Sequence, residues 1–316
     1  MNKILNTIQN TIDKYKMISS YDKILLGISG GPDSVMLFMA LYFFMKKYKF
    51  SFICAHLNYK LRGKESFEDQ EFVKSLCEQF KIPCFIKEIN IAELSKKKGG
   101  IEEIAREERY KFFLKQAKKN KANKIATAHT QNDNIETILM YFLRGTGING
   151  LQGIPIVRDN IIRPLLNISR KEILEFLNDN KIKFRIDSTN SKNIYFRNKI
   201  RNNFLPYLKK NYNPNIDNVL LNTSSIIKEE NKYLYKIVKQ KYEKIIKNTF
   251  STKIILNLDE FLKNDIVIQK RIIINCFKNL KIKEIYYQHL ENIILFLKNG
   301  KTTSFINLPN KIVIKK

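Results

Sequence analysis

At 316 residues and 44% hydrophobic, the chain is long enough for two domains and apolar enough to bury a sizeable core. Its longest strongly apolar run, Val35 to Met45, is too short to cross a bilayer, and its four cysteines (Cys54, Cys77, Cys84, Cys276) form no CxxC pair or metal-ligand spacing, which argues against membrane spans, structural zinc and iron–sulfur clusters. The formal net charge of +27 points to a polyanionic partner. With no charged-then-apolar leader before Tyr21 and no cysteine framework, a cytoplasmic location is expected.

Short β-rich runs alternate with helical patterns over the first two thirds. KILLGIS (23–29) reads as a buried strand, Asp33–Lys47 as a helix, and FSFICAHLNY (50–59) as a second strand. A helix is expected over Ser66–Phe80, with Ser66 and Asp69 spaced as a capping box. PCFIKEI (83–89), a helix over Ile101–Lys119, KIATAH (124–129) and a helix over Asn132–Leu143 continue the pattern. NIIRPLL (160–166) reads as an edge strand, followed by a helix capped by Ser169 and Glu172. This alternation predicts an α/β fold with a Rossmann-like parallel sheet. After Asn213-Pro214, Lys/Ile/Leu segments at helical spacing run from about Ile216 to Leu297, and KTTSFINLPNKIVIKK (301–316) looks like a terminal hairpin. A boundary near residue 212 divides a catalytic domain (1–212) from a smaller, mainly helical domain (213–316).

Part of the charge follows from a composition rich in Lys, Asn and Ile. Arginine is used sparingly: of eleven, ten lie at or before Arg201. A planar, bidentate donor is expected where phosphate or carboxylate must be gripped.

LLGISGGPDSVMLFMAL (25–41) joins the first strand to its helix. No lysine follows Gly31, which rules out a Walker loop. Gly27-Ile28-Ser29-Gly30-Gly31 also satisfies G-x-S-x-G, but no suitable acid pairs with a downstream His in triad order. A pyrophosphate loop fits better. Gly30 and Gly31 let backbone amides approach phosphate, Ser29 and Ser34 supply hydroxyls, and the N-terminal dipole of the helix starting near Asp33 favours an anion. Asp33 would repel phosphate unless it holds Mg²⁺ against it.

Ser-Gly-Gly-Pro-Asp-Ser after a first strand resembles the signature of the PP-loop ATP pyrophosphatase superfamily, with its adenine-nucleotide-alpha-hydrolase-like fold. HLNYKLRGKES (56–66), GIEEIAREERY (100–110), AHTQNDNIETILMYFLRGTGINGLQGI (128–154), and IIRPLL with DSTN…RNKIRNNFLP (161–206) resemble the motifs of tRNA(Ile)-lysidine synthases. The resemblance covers roughly residues 20–210. Tyr59 stands where the family often has His, and Thr130, Asn132 and Asn134 replace its second His, first Asp and Gln; His129, Asp133, Glu136, Thr137 and Arg144 are retained.

The resemblance implies a ligase in tRNA processing. ATP would adenylate the ring carbonyl oxygen of the wobble cytosine in the CAU-anticodon isoleucine tRNA, releasing diphosphate; the ε-amine of L-lysine would then displace AMP to form lysidine. Ser29, Gly30, Gly31, Pro32, Asp33 and Ser34 would bind ATP, with Mg²⁺ on Asp33. His129 and Asp133 would act at the reacting centre, by positioning the base or by deprotonating lysine. Arg197 and Arg201, one helical turn apart, would face phosphate or the leaving group. The lysine-rich C-terminal domain would grip the tRNA backbone, and a homodimer is compatible with the sequence. A PP-loop tRNA thiolase and a catalytically inactive tRNA-binding protein stay open as alternatives; absence of paired cysteines disfavours the first, and retention of Asp33, His129, Asp133 and Arg197 the second.

Overall fold

The computed structural model describes residues 3–98, 100–186, 196–282, 286–309 and 312–316. It divides into two compact units, Met1–Ser224 and Ser225–Lys316.

The first unit opens with α1 (Lys3–Lys14) and β1 (Lys23–Gly27), followed by α2 (Pro32–Tyr48), β2 (Ser51–Asn58), α3 (Lys64–Gln79), β3 (Cys84–Glu88), α4 (Ile91–Lys98), α5 (Ile101–Lys119), β4 (Lys124–Ala126), α6 (Gln131–Leu143), α7 (Ile148–Leu151), β5 (Val157–Arg158), β6 (Ile161–Ile162), α8 (Arg170–Asp179), α9 (Phe196–Lys199), a π-helical turn (Ile200–Phe204) and α10 (Leu205–Asn211). The sheet order is β3-β2-β1-β4-β6-β5, parallel except for β5. The α/β alternation of the sequence thus builds the parallel sheet it predicts.

Burial explains the strand composition. Ile24, Leu25 and Leu26 of β1 are fully buried, as expected for a strand covered on both faces. Helix α2 begins at Pro32, where a missing N–H costs nothing, and buries Val35, Met36, Leu37, Phe38, Leu41 and Phe44 in the main core. From β1 the chain steps outward through β2 and β3, then returns to place β4 on the other side of β1. Such a reversal leaves a crevice beyond the carboxyl ends of β1 and β4, the usual ligand site of open α/β sheets.

Four local expectations are corrected. Helix α3 starts at Lys64 after Gly63, whose φ of +53° suits glycine. Ser66 lies inside it, its Oγ accepting from the Arg62 amide at 3.1 Å, so no Ser66–Asp69 capping box forms. Strand β4 stops at Ala126, leaving His129 three residues beyond it. The strand in NIIRPLL shrinks to two residues and lies between β4 and β5, so β5 is the edge. Ser169 and Glu172 do form their capping box.

Gly27 ends β1 because a side chain does not fit: a Cβ there would lie 2.4 Å from two ring atoms of Phe113 on α5. Gly27→Ala is expected to destabilise the protein by about 1–3 kcal/mol through overpacking, measured by denaturant unfolding. Adding Phe113→Leu should recover most of the loss; a double variant no better than Gly27→Ala would refute the packing argument.

In the second unit, the long helix α11 (Ile216–Ile245), which carries the unit boundary, leads into β7 (Ile246–Thr249) and β8 (Ile254–Leu256), paired antiparallel. Helices α12 (Leu258–Leu262), α13 (Ile266–Asn279) and α14 (Tyr287–Asn299) follow, then β9 (Phe305–Leu308) and β10 (Ile312–Lys315), also antiparallel. Phe261, Ile272, Ile273, Phe277, Ile293, Ile294 and Leu297 centre its core. The β7–β8 hairpin is the fourth correction: it interrupts a stretch expected to be helical throughout. Among the described residues, no helix is long and apolar enough to cross a membrane.

Candidate active site

Around the ends of β1 and β4 lies a cleft of about 380 Å³. Its walls include Ser29, Gly31, Pro32, Asp33 and Ser34 from the glycine loop, and His129 and Asp133 from the segment after β4. Six of the eleven arginines also line it: Arg62, Arg109, Arg170, Arg185, Arg197 and Arg201.

The glycine loop is tied to itself. Ser34 Oγ donates to the Gly31 carbonyl at 2.9 Å, accepts from the Ser29 amide at 3.2 Å, and lies 3.1 Å from Ser29 Oγ. Gly30 adopts φ of +88°, a conformation that favours glycine, and its carbonyl accepts the Arg185 amide at 2.9 Å. The serines therefore preorganise the loop for an anion at the N-terminus of α2.

Asp33 is mostly buried in the first turn of α2. Its Oδ2 accepts from Arg170 at 3.2 Å, while Oδ1 is buried with no hydrogen-bond partner. Burial pushes its pKa up to about 6, against the pull of Arg170. An orphaned carboxylate oxygen beside a phosphate loop fits the needs of Mg²⁺, an ion that takes one or two carboxylates and completes its shell with phosphate and water.

Thr130 caps α6. Its amide donates to Asp133 Oδ2 at 2.8 Å, and its hydroxyl donates to the same oxygen at 3.1 Å. The other family departures also have structural work. Asn132 Oδ1 accepts the Arg170 amide at 2.9 Å, fixing the residue that meets Asp33. Asn134 Oδ1 accepts the Ile154 amide at 2.7 Å, anchoring the glycine-rich loop after α7. Tyr59, in place of His, accepts from Arg109 Nε at 2.7 Å and donates to the Ala105 carbonyl at 3.2 Å.

His129 Nδ1 lies 3.0 Å from Thr127 Oγ1, which orients the ring. Burial drives its pKa well below the ordinary value, against the pull of Asp133, so the ring is neutral at physiological pH. Burial alone would raise Asp133, but Arg197, the Thr130 amide and Arg201 together hold its carboxyl below the usual range.

Arg197 and Arg201 converge as the sequence suggested, but on protein carboxylates. Glu136, with only 2% of its side chain exposed, accepts from Arg197 Nε at 2.6 Å, from Arg201 Nε at 2.5 Å and from a terminal nitrogen of Arg201 at 3.0 Å. Asp133 Oδ1 takes Arg197 at 3.0 Å. Arg201 lies in the π-helical turn rather than one α-turn beyond Arg197; such wide turns concentrate at functional sites. Each fork retains donor capacity toward the cleft.

Four cleft arginines were absent from the sequence-based set. Arg170 is carried in by the Ser169 cap. Arg62 and Arg185 share Asp69, at 2.8 and 2.9 Å, and Arg185 also meets Glu68 at 2.8 Å. Arg109 is held by Tyr59. Arg106 lies on the same helix as Arg109, over the Tyr110 ring at 5.3 Å. Asp187 and Asn190 of the DSTN motif fall outside the described residues.

A sequence profile of the PP-loop domain family matches residues 2–208. The tRNA(Ile)-lysidine synthase of Clostridioides difficile is 38% identical over 315 residues, covering 98% of this chain and 68% of that protein. That of Clostridium tetani is 39% identical over 313 residues, covering 98% and 66%. The chain thus spans about two thirds of the length of these relatives. The U34-tRNA thiolase NcsA of Methanococcus maripaludis, solved with its [4Fe-4S] cluster, superimposes with a TM-score of 0.59 over 72% of this chain and 79% of its own. At 18% identity that likeness concerns the fold alone. A self-bonded glycine loop at the switch point, with His129 and a carboxylate-held arginine pair facing it, completes the PP-loop arrangement: the chain belongs to the tRNA(Ile)-lysidine synthase family of PP-loop ATP-binding proteins.

Proposed function

We propose that the protein joins L-lysine to the wobble cytidine of a CAU-anticodon isoleucine tRNA in two steps, the first of which consumes ATP. One observation carries the reading: the phosphate loop, a neutral histidine and two clamped arginines face one cleft in a chain 38% identical to a lysidine synthase. In the first step the carbonyl oxygen of the cytosine ring attacks the α-phosphorus; the bond to the β-phosphate bridge breaks and diphosphate leaves. The loop from Ser29 to Ser34 holds the diphosphate end, and Arg197 and Arg201 stabilise charge developing on phosphate. Mg²⁺ held by Asp33 would neutralise phosphate charge. Among the described residues, no group of three His, Cys, Asp or Glu side chains could hold a metal, so the ion's remaining ligands would be phosphate and water.

In the second step the lysine ε-amine attacks the activated ring carbon and AMP departs with the former carbonyl oxygen. The incoming ammonium must first lose a proton. In the tautomer whose Nδ1–H donates to Thr127 Oγ1, 3.0 Å away, the neutral His129 presents Nε2 as acceptor. Asp133 receives Thr130 on one oxygen and Arg197 on the other, so we assign it to positioning Arg197 and to favouring the protonated state of His129. The basic second unit would hold tRNA phosphates, and the reaction belongs in the cytoplasm.

Incubation with ATP, radiolabelled lysine and the isoleucine tRNA should place label in RNA and release AMP and diphosphate. A tRNA left unlabelled while ATP is consumed, or a sulfur acceptor activity in its place, would overturn the proposal.

A further inference from the structure

A patch of exposed apolar side chains borders the site. Tyr141, Phe142 and Leu143 end α6 with 41%, 65% and 48% exposure, Ile148 follows at 44%, and Phe196 opens α9 at 41%. Arg144 caps α6 and places its guanidinium over the Phe196 ring, 5.6 Å from the centroid. Among the described residues no carboxylate pairs with Arg144. Phe196 immediately precedes Arg197, which lines the cleft. An aromatic ring topped by a guanidinium, next in the chain to an arginine that lines the cleft of a protein of net charge +27, is complementary to a stacked base on an anionic backbone.

We infer that Phe196 and Arg144 form a stacking platform for an unpaired base directly beside the base that reacts. This rests on the function proposed above, and the chemistry requires something of the kind. The cytosine carbonyl oxygen takes part in Watson–Crick pairing, so the target must be presented from a single-stranded loop. Turning it into the cleft breaks its stacking on its neighbours, and a protein π-surface replaces that stacking. The platform is sequence-tolerant, because every base offers a π-face. It therefore sets the geometry of the loop, while base identity is read elsewhere.

The test uses anticodon stem–loop RNA of the CAU isoleucine tRNA, intact or with the nucleotide 5′ or 3′ of the target cytidine made abasic. Dissociation constants are measured for the parent, Phe196→Ala, Phe196→Trp and Arg144→Gln. Phe196→Ala and Arg144→Gln should each weaken intact RNA roughly tenfold, Phe196→Trp should bind like the parent, and ATP affinity should stay unchanged. On one of the two abasic RNAs the parent should already be weak and the Phe196→Ala penalty should vanish, the signature of direct coupling. A normal affinity for Phe196→Ala, or a penalty that persists on both abasic RNAs, overturns the platform while leaving the tRNA reading intact. Failure of the parent to bind the intact stem–loop removes both.

Discussion

Asp33→Asn is expected to stabilise the protein and nearly inactivate it. The Asp33 pKa of about 6 lies above the ordinary 3.8, chiefly because the group is buried. Between those values the folded chain holds a proton that the unfolded chain has released. Folding is therefore unpenalised by Asp33 below about pH 4, loses stability as the pH rises through the window, and carries the full penalty above about pH 6. A shift of this size corresponds to about 3 kcal/mol at most. Asparagine keeps the shape and has no charge to bury, so its melting temperature should match the parent's at pH 4 and exceed it increasingly up to about pH 6. Parallel pH profiles would contradict the burial argument.

The same substitution should cost function. Its amide oxygen replaces the orphaned Oδ1 without the charge that holds a divalent ion, and diphosphate release should fall by roughly 10²–10³-fold. Near-parent release would remove Asp33 from the ATP-handling machinery. A gain in stability alongside a loss in rate is the pattern of a residue kept for chemistry, since a strained active-site group is a common cause of low stability.

Much of this arrangement was readable in the residues, because local physics fixes it. The alternation of buried runs and helical patterns follows from backbone hydrogen bonding and burial, and it places the glycine loop and His129 at neighbouring strand ends. The Ser169–Glu172 cap is likewise local. What escaped depended on partners far apart in the chain. Ser66 and Asp69 have capping-box spacing, yet Asp69 serves Arg62 and Arg185, the latter 116 residues away. Arg170 meets Asp33 across 137 residues. The hairpin at β7–β8 was hidden because Lys, Ile and Asn recur throughout the second unit and blur the period that separates strand from helix. Glu136 did leave a signal: an acidic residue among Ile135, Ile138 and Leu139 on the buried face of α6 needs a cation.

Glu136→Gln should expose how much of the site rests on that one carboxylate. The parent residue accepts three hydrogen bonds from two guanidinium groups in a buried setting. Glutamine keeps the volume, offers one carbonyl oxygen, and turns an amide donor toward a guanidinium that can only donate. Among the described residues, Asp133, at 3.0 Å from Arg197 and 3.6 Å from Arg201, is then the one carboxylate within ion-pair distance of both. Removing one partner of a buried ionic cluster costs about 3–5 kcal/mol, so denaturant unfolding should show a loss of that order and adenylation should fall with it. Instability alone could explain the lost activity, and a second change separates the two effects. Arg201→Met in the Glu136→Gln background removes the stranded charge while keeping a side chain of similar length. Stability should recover by roughly half or more, because an unpaired buried charge costs more than a neutral replacement. Adenylation should remain lost, since the guanidinium proposed to meet phosphate is gone. Recovery of both would make Arg201 a counter-ion only; recovery of neither would place the cost of Glu136→Gln elsewhere than in the charge it strands.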